Sequence, residues 1–388
     1  MGVVRAQHGP WHYQGVRNDE GAATTSAELR AHNLARLLRA VHEGAGQHTR
    51  AELTRQLGLA RGTATVLVRE LAGRQLIEER PGTAVVAVRG RPTGVPSPHP
   101  EGPVALAVDL REDAFTIAAF ELTGRGTVLD RRTPGSVTDL AARLSKHRAA
   151  FGDRLVGVGV AVPSPVADGK MLLTDGLDIS ALLDTSYVGN DATLAGLAEA
   201  RRGVLRGVPV ALHLHVATGI GGVLLSGGKP VAGAHDAAGE FGHMPLTGGD
   251  EPCRCGASGC WELDAGARGL LRAAGLDQGD PAAIIASDAA AAARVATALG
   301  RGIGALVNAH DPETVALSGL AASLLAAAPD AVHQAYLAAL MRFRRARPPA
   351  LLASSLGDLG TLTGAAELVF DGFLTARGLT VWAAAKTP

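Results

Sequence analysis

Three cysteines in 388 residues are too few for a disulfide framework, and all three fall between positions 253 and 260. That usage excludes a disulfide-stapled scaffold and fits a reducing compartment. Aromatic residues make up 3% of a chain that is 47% hydrophobic, so alanine, leucine and glycine must build the core. Lysine stands only at 146, 170, 229 and 386, which leaves arginine as the main cation. No uninterrupted apolar run reaches the length of a membrane span, and Met1-Gly2-Val3-Val4-Arg5 is not followed by the apolar stretch of a secretory signal. A cytoplasmic protein with no membrane partner is expected. The chain has no Walker-type phosphate loop, because Gly227-Gly228-Lys229 runs into Pro230 and reads as a hairpin turn. A formal net charge of +0 argues against a uniformly nucleic-acid-coated protein.

Charge is nonetheless uneven. Between Glu28 and Arg91 there are eleven arginines against six glutamates, with no lysine or aspartate. Residues 1–25 are mixed and aperiodic, and are expected to form a mobile tail. Thr25 and Glu28 then have capping-box spacing ahead of an apolar stripe at Leu29, Leu34, Leu37, Leu38 and Val41. Thr49 and Glu52 repeat the box before Leu53 and Leu57. After a turn at Gly58-Leu59-Ala60, a third helix from Arg61 to about Arg74 is expected to place Val66, Leu67 and Leu71 inward. Its outer face would carry Arg61, Thr63, Thr65 and Arg69. Val86-Ala87-Val88 and Arg89-Gly90-Arg91-Pro92 read as a wing with a basic tip. Together these features give a winged helix-turn-helix over residues 26–92. In such a motif, residues near helix N-termini reach base edges and arginines hold phosphates of double-stranded operator DNA. Arg50, Arg61, Thr63, Thr65, Arg69, Arg89 and Arg91 are the candidate DNA contacts. Residues 93–102 are Pro-rich and are expected to be a stiff linker.

From Pro103 the pattern changes to short apolar strands at 104–108, 114–122 and near 131, then a helix, then Leu155–Val162. Hairpins followed by strand–helix alternation indicate an α/β domain with a mixed sheet. Turn residues follow strands at Val162–Val166, Gly189–Ala192, Ala217–Gly222 and Leu317–Leu320, where ligands of α/β sheets bind. Cys253, Cys255 and Cys260, with His243 ten residues upstream of the first, are the ligand types of a closed structural zinc site. His213 and His215 alternate on a strand, and the basic run Arg342–Arg347 reads as a solvated face.

Asn190-Asp191-Ala192, Gly239-Glu240-Phe241-Gly242-His243-Met244 and Cys253-x-Cys255-Gly256-x-x-Gly259-Cys260-x-Glu262 resemble, in this order, the ROK family of sugar-responsive repressors and sugar kinases. The resemblance runs from about Glu28 to the C-terminus, and the module ending in Gly90-Arg91-Pro92 resembles that of the family's repressors. It implies an α+β multidomain chain, with the winged helix-turn-helix followed by a two-lobed, actin-like (ribonuclease H-like) α/β domain over residues 103–388. Lobe 1 would span about 103–198 plus a C-terminal helix at 364–388, and lobe 2 about 199–363. The resemblance also implies zinc on His243, Cys253, Cys255 and Cys260, and sugar contacts at Asn190, Asp191, Glu240, His243 and Glu262. In the family's kinases the position of Asp191 is the general base on a sugar hydroxyl.

Those kinases carry Asp-x-Gly-Gly-Thr after the first strand, where this chain has Asp109-Leu110-Arg111-Glu112-Asp113. Both glycines are gone and two carboxylates would face phosphate, so the chain is expected not to be an enzyme. The segment between Val166 and Asn190 is also shorter than in family members. The expected function is a DNA-binding transcriptional regulator, a repressor, that responds to a sugar or sugar derivative and works as a homodimer or homotetramer. An ATP-dependent sugar kinase with an appended DNA module is one alternative. A ligand-independent regulator with a vestigial cleft is the other.

Overall fold

The computed structural model describes residues 25–81, 94–112, 114–167, 170–172 and 186–386. The expected wing tip, with Arg89 and Arg91, and most of the segment between Val166 and Asn190 lie outside them, as does the expected tail up to residue 24.

Helix α1 (Ser26–Glu43) starts at Thr25, whose hydroxyl accepts the Glu28 N–H at 3.2 Å while the Glu28 carboxylate accepts the Thr25 N–H at 3.0 Å. Helix α2 (Arg50–Gln56) repeats this reciprocal cap with Thr49 and Glu52. Helix α3 (Arg61–Gly73) buries Ala64, Leu67, Val68 and Leu71 and exposes Arg61, Thr63 and Arg69. Val66, expected inside, is 49% exposed, because helical periodicity puts it nearly opposite Ala64 and Val68. Leu29 is exposed as well, lying in the first turn of α1 ahead of the first buried position, Leu34. Strand β1 (Ile77–Pro81) pairs antiparallel with β2 (Gly94–Pro98). Half of the stretch expected as a linker is therefore a strand. Proline is tolerated there because both strands of a two-stranded ribbon are edges.

The next strands are β3 (Val104–Leu110), β4 (Phe115–Glu121) and β5 (Gly126–Arg132). Helix α4 (Val137–Phe151) crosses over to β6 (Leu155–Val162), a small ribbon of β7 (Val166–Ala167) and β8 (Lys170–Met171) follows, and then β9 (Tyr187–Asn190). The sheet order is β5-β4-β3-β6-β9, with β3 and β6 parallel and the β3-β4-β5 run antiparallel. β3 is buried along its whole length, which is why Val104–Val108 reads as a continuous apolar run.

Helix α5 (Asp191–Arg202) leads to β10 (Val210–Val216), β11 (Ile220–Ser226) and β12 (Lys229–Pro230). Helices α6 (Glu262–Ala265), α7 (Ala267–Ala273), α8 (Pro281–Ser287) and α9 (Ala289–His310) precede β13 (Thr314–Gly319). Then come α10 (Leu320–Ala327), α11 (Pro329–Ala339), β14 (Ala350–Ala353), α12 (Gly360–Phe373) and α13 (Ala376–Ala385). The second sheet runs β12-β11-β10-β13-β14, with β10, β13 and β14 parallel. Both sheets thus share one plan, an antiparallel meander with two further strands on the far side of its first strand, the nearer of them parallel to it. Shortage of aromatics shows in the helix packing: a Cβ on Gly300 of α9 would lie 2.3 Å from the Val332 carbonyl of α11. By length and composition α9 could cross a membrane, but 61% of its apolar window is buried, with Leu299, Ile303 and Leu306 in the core.

The chain divides into two compact units. One holds residues 163–173 and 189–364, with the second sheet. The other holds the N-terminal helices and ribbon, the first sheet and residues from 365 onward. The boundary falls at Gly189 and not near 198, because α5 packs on the second sheet: a Cβ on Gly196 would meet Val223 and His213. The N-terminal helices cluster with the first sheet and do not stand apart.

Gly159 on β6 has the Ala365 carbonyl oxygen 2.1 Å from where a Cβ would stand. Gly159→Ala should therefore lower unfolding stability by about 2 kcal/mol or more, since a backbone oxygen cannot be displaced cheaply. A denaturant midpoint unchanged from that of the parent would contradict this packing.

Candidate functional site

The site is built on the β10–β11 hairpin, whose turn Ala217-Thr218-Gly219 joins Val216 to Ile220. The loop Gly239–His243 lies directly against the β11 backbone. A Cβ at Gly239 would fall 2.2 Å from the Gly222 carbonyl oxygen, and one at Gly242 would fall 2.3 Å from that of Ile220. Gly239 also has φ of +97°, a region glycine enters readily. The two glycines of Gly-Glu-Phe-Gly-His are thus what lets Glu240 and His243 sit beside the sheet, with Phe241 buried between them. The first turn of α5 touches the same strand, since a Cβ on Gly221 would lie 2.5 Å from the Ala192 Cβ.

Downstream, the Cys253 N–H bonds the Ala257 carbonyl at 2.8 Å and the Gly259 N–H bonds that of Glu251 at 2.9 Å. This tight turn brings the cysteines back on themselves. Donor atoms of His243, Cys253, Cys255 and Cys260 all lie within 4.8 Å of one another. Cys253 Sγ is 3.6 Å from His243 Nδ1, and Cys255 Sγ is 3.7 Å from Cys260 Sγ. A tetrahedron with metal–sulfur bonds of about 2.3 Å and metal–nitrogen bonds of about 2.0 Å has edges of roughly 3.5–3.8 Å, so the four groups fit one ion. Burial pushes the Cys260 thiol up to about 12 and raises Cys253, while the Ala257 backbone N–H holds Cys255 low. A bound cation supplies the charge that buried thiolates need. Trp261 anchors the loop, donating its indole N–H to the Ala298 carbonyl at 2.9 Å.

With Nδ1 in the cluster, the His243 ring turns Nε2 toward Glu240, whose Oε2 is 3.9 Å away. Glu240 is half-buried, and burial raises its carboxyl above the usual range. His243 and Arg254 pull it down, while Asp191 and Glu262 push it further up. Asp191, Glu240, His243 and Glu262 therefore share one electrostatic environment. Asp191 Oδ1 accepts the Ala192 N–H at 2.7 Å and an Asn190 amide hydrogen at 3.2 Å, which fixes its orientation. Asn190 is mainly a helix cap: its Oδ1 accepts the Thr193 N–H at 3.0 Å and its amide also reaches the Ser164 carbonyl at 3.3 Å. Glu262 is divided. Its Oε1 lies 3.3 Å from Cys253 Sγ and 3.6 Å from His243 Nδ1, while Oε2 occupies the space beside Gly219. It thus supports the metal loop with one oxygen and lines the Thr218-Gly219 turn with the other.

Two residues that sequence reasoning passed over join this group. Arg254 and Arg268 line a small hollow of about 20 Å³ with Thr218, Gly219, Leu263 and Glu262. The available signal was that Arg254 sits between two metal-ligand cysteines. His213 and His215 form a chain through Ser318, with Nε2 of His213 3.0 Å and Nδ1 of His215 2.8 Å from its hydroxyl. In the other unit, Arg111 folds onto buried Asp109, donating from Nε at 3.2 Å and Nη2 at 3.0 Å; Asp113 lies outside the described residues. Arg50 is paired with Glu79 at 3.4 Å, and Thr65 bonds the Arg61 carbonyl at 2.9 Å.

Two outcomes follow from this geometry. Stripping metal with a strong chelator, or Cys255→Ser, should release about one ion per chain and lower the thermal midpoint by roughly 10 °C or more, about 3 kcal/mol for a unit this size. Metal content far below one ion per chain before treatment would contradict the cluster. Because the folded-state pKa of Glu240 is raised, its ionised form opposes folding, and stability is lost as pH rises through that value. Glu240→Gln should thus raise the thermal midpoint slightly at pH 7.5 and lose that pH dependence in a thermal-shift series; a lowered midpoint would contradict it.

The ROK family matches this chain over residues 107–371. A glucokinase of Halalkalibacterium halodurans is 28% identical over 251 residues, covering 53% of this chain and 76% of that protein. The ROK hexokinase of Thermus thermophilus has a TM-score of 0.55 at 27% identity, covering 69% of this chain and 98% of its own. A ROK transcriptional regulator, a homologue of the E. coli MLC protein, has a TM-score of 0.68 at 22% identity over 92% of this chain and 99% of its own. That wider coverage extends into the N-terminal helices and ribbon. The kinase matches overturn the expectation that the chain is not an enzyme, and point to a kinase. Loss of the glycines in one turn does not by itself abolish activity, and the Arg111 guanidinium in that turn is engaged by Asp109. With the two α/β units, the metal cluster and the matched span agreeing, the chain belongs to the ROK family.

Proposed function

We propose that the chain is a sugar-responsive, DNA-binding regulator in which Asp191, Glu240, His243 and Glu262 contact the sugar and zinc braces their wall. The observation that carries this reading is the convergence of those three carboxylates and one imidazole against the metal loop. Carboxylates accept from the hydroxyls of a polyol, and His243 Nε2 faces the same space with its Nδ1 committed to the ion. Zinc suits the three thiolates and one imidazole and leaves no open position among the four donors, so its part is structural. Asn190 contributes chiefly by capping α5 and steering Asp191.

The N-terminal helices and ribbon supply the DNA-reading half. Arg61, Thr63 and Arg69 are exposed on α3, and Arg61 and Arg69 have no ion pair among the described residues. A homodimer, or a dimer of dimers, would present two such helices to two half-sites. Phosphorylation of the sugar is a second reading of the same site. It is favoured by the kinase relatives and by Asp191, held where it could take a hydroxyl proton.

Arg61→Ala and Arg69→Ala should each weaken operator binding and reduce its salt slope by about 1, read by salt-controlled titration on DNA enriched by the protein. Unchanged affinity and slope would remove α3 from the interface. Asp191→Asn should weaken glucose or N-acetylglucosamine binding at least about tenfold by calorimetry, through loss of a charged hydrogen-bond acceptor. Sugar-dependent ADP release that vanishes in the same variant would establish the second reading. Unaltered sugar affinity in Asp191→Asn would sink the site.

A further inference from the structure

Helix α12 carries Gly364 near its start and Glu367 and Asp371 further on. Near Gly364 it rests on α5, the helix that begins at Asn190 and Asp191. A Cβ on Gly364 would fall 1.9 Å from the Leu194 carbonyl oxygen, so backbone meets backbone with no side chain between. Further along, α12 is tied to helix α1 of the N-terminal module. His42 Nε2 lies 3.1 Å from Glu367 Oε2, and its Nδ1 lies 2.7 Å from the Leu122 carbonyl. A carbonyl only accepts, so Nδ1 carries a hydrogen. The two side chains are 3% and 2% exposed. Arg39 donates to Asp371 Oδ1 at 2.9 Å and to the Leu374 carbonyl at 3.1 Å, and the His42 ring packs on Phe370 at 4.9 Å between centroids. Trp382 of α13 donates to the Arg74 carbonyl at 2.9 Å, closing the junction from the other side.

We propose that α12 is a lever carrying the state of the Asp191 helix to the N-terminal module, with the buried His42–Glu367 pair as its point of attachment. Direct backbone contact at Gly364 leaves no flexible side chain to absorb a shift of α5. At the other end, sliding α1 along α12 would break the buried His42–Glu367 contact. Such pairs contribute little net stability but fix one register against its neighbours. Transmission requires only that α5 and α12 hold different relative positions with and without ligand.

Hydrogen exchange of the full-length protein, read by mass spectrometry, tests the lever with two perturbations. The first is N-acetylglucosamine or glucose, an arm that rests on the sugar-site reading. The second is Gly364→Ala, which wedges α12 away from α5 and needs no ligand; Leu194→Ala replaces it if the wedge prevents folding. Either perturbation should change exchange at residues 34–42 by about fivefold or more, the lower end of usual coupling. In the double variant His42→Leu with Glu367→Leu that change should vanish while residues 191–202 still respond. Glu367→Gln alone serves if the apolar pair does not fold. A response at 191–202 with none at 34–42 in the parent overturns the lever, as does an undiminished response at 34–42 in the double variant. Sugar that leaves 191–202 unchanged defeats the sugar reading only, and the Gly364→Ala arm then decides.

Discussion

Direct contact between the Gly239–His243 loop and the β11 backbone is the constraint on which the rest of the site depends. With a side chain at Gly239 or Gly242, the loop could not lie against the Gly222 and Ile220 carbonyls. Glu240 and His243 would then move away from Asp191, and His243 would leave the three cysteines. The metal cluster holds the loop from outside while the sheet holds it from beneath. Because Nδ1 of His243 belongs to the cluster, the ring has one orientation left, with Nε2 toward Glu240. Metal, loop and polar site therefore form one structure, and loss of any one should loosen the others.

That structure gathers acidic groups. Three carboxylates share one region, and Glu240 is held above its ordinary range by burial and by its two acidic neighbours. Under the proposed reading, the hydroxyls of a sugar would donate to these carboxylates. The same arrangement serves phosphoryl transfer or simple recognition, since a carboxylate that accepts a hydroxyl hydrogen bond can also take its proton. What differs between the two uses is the handling of phosphate.

Much of this was legible in the sequence because it is local. Both capping boxes, the limits of Leu155–Val162 and the Gly227-Gly228 hairpin depend on residues a few positions apart. The metal set was legible because the chain's three cysteines all fall within eight positions. Failures came where distant residues decide. Gly94–Pro98 looked like a linker because nothing near it shows that Ile77–Pro81 will pair with it. Val66 looked internal because a β-branched residue beside Leu67 reads as core, although helical phase turns it outward. The His42–Glu367 pair joins residues 325 positions apart and has no local signature. Inference from the Asp109–Asp113 turn to lack of activity failed for a related reason: the activity of a site depends on all its elements together.

The central claim is that sugar occupancy and DNA affinity are linked in one molecule. Operator DNA enriched by the protein, titrated by fluorescence anisotropy at fixed salt with and without glucose or N-acetylglucosamine, measures that linkage most directly. A shift in operator affinity of about fivefold or more, abolished by Asp191→Asn, is the expected result. Operator affinity unmoved by a sugar that calorimetry shows to bind would contradict it.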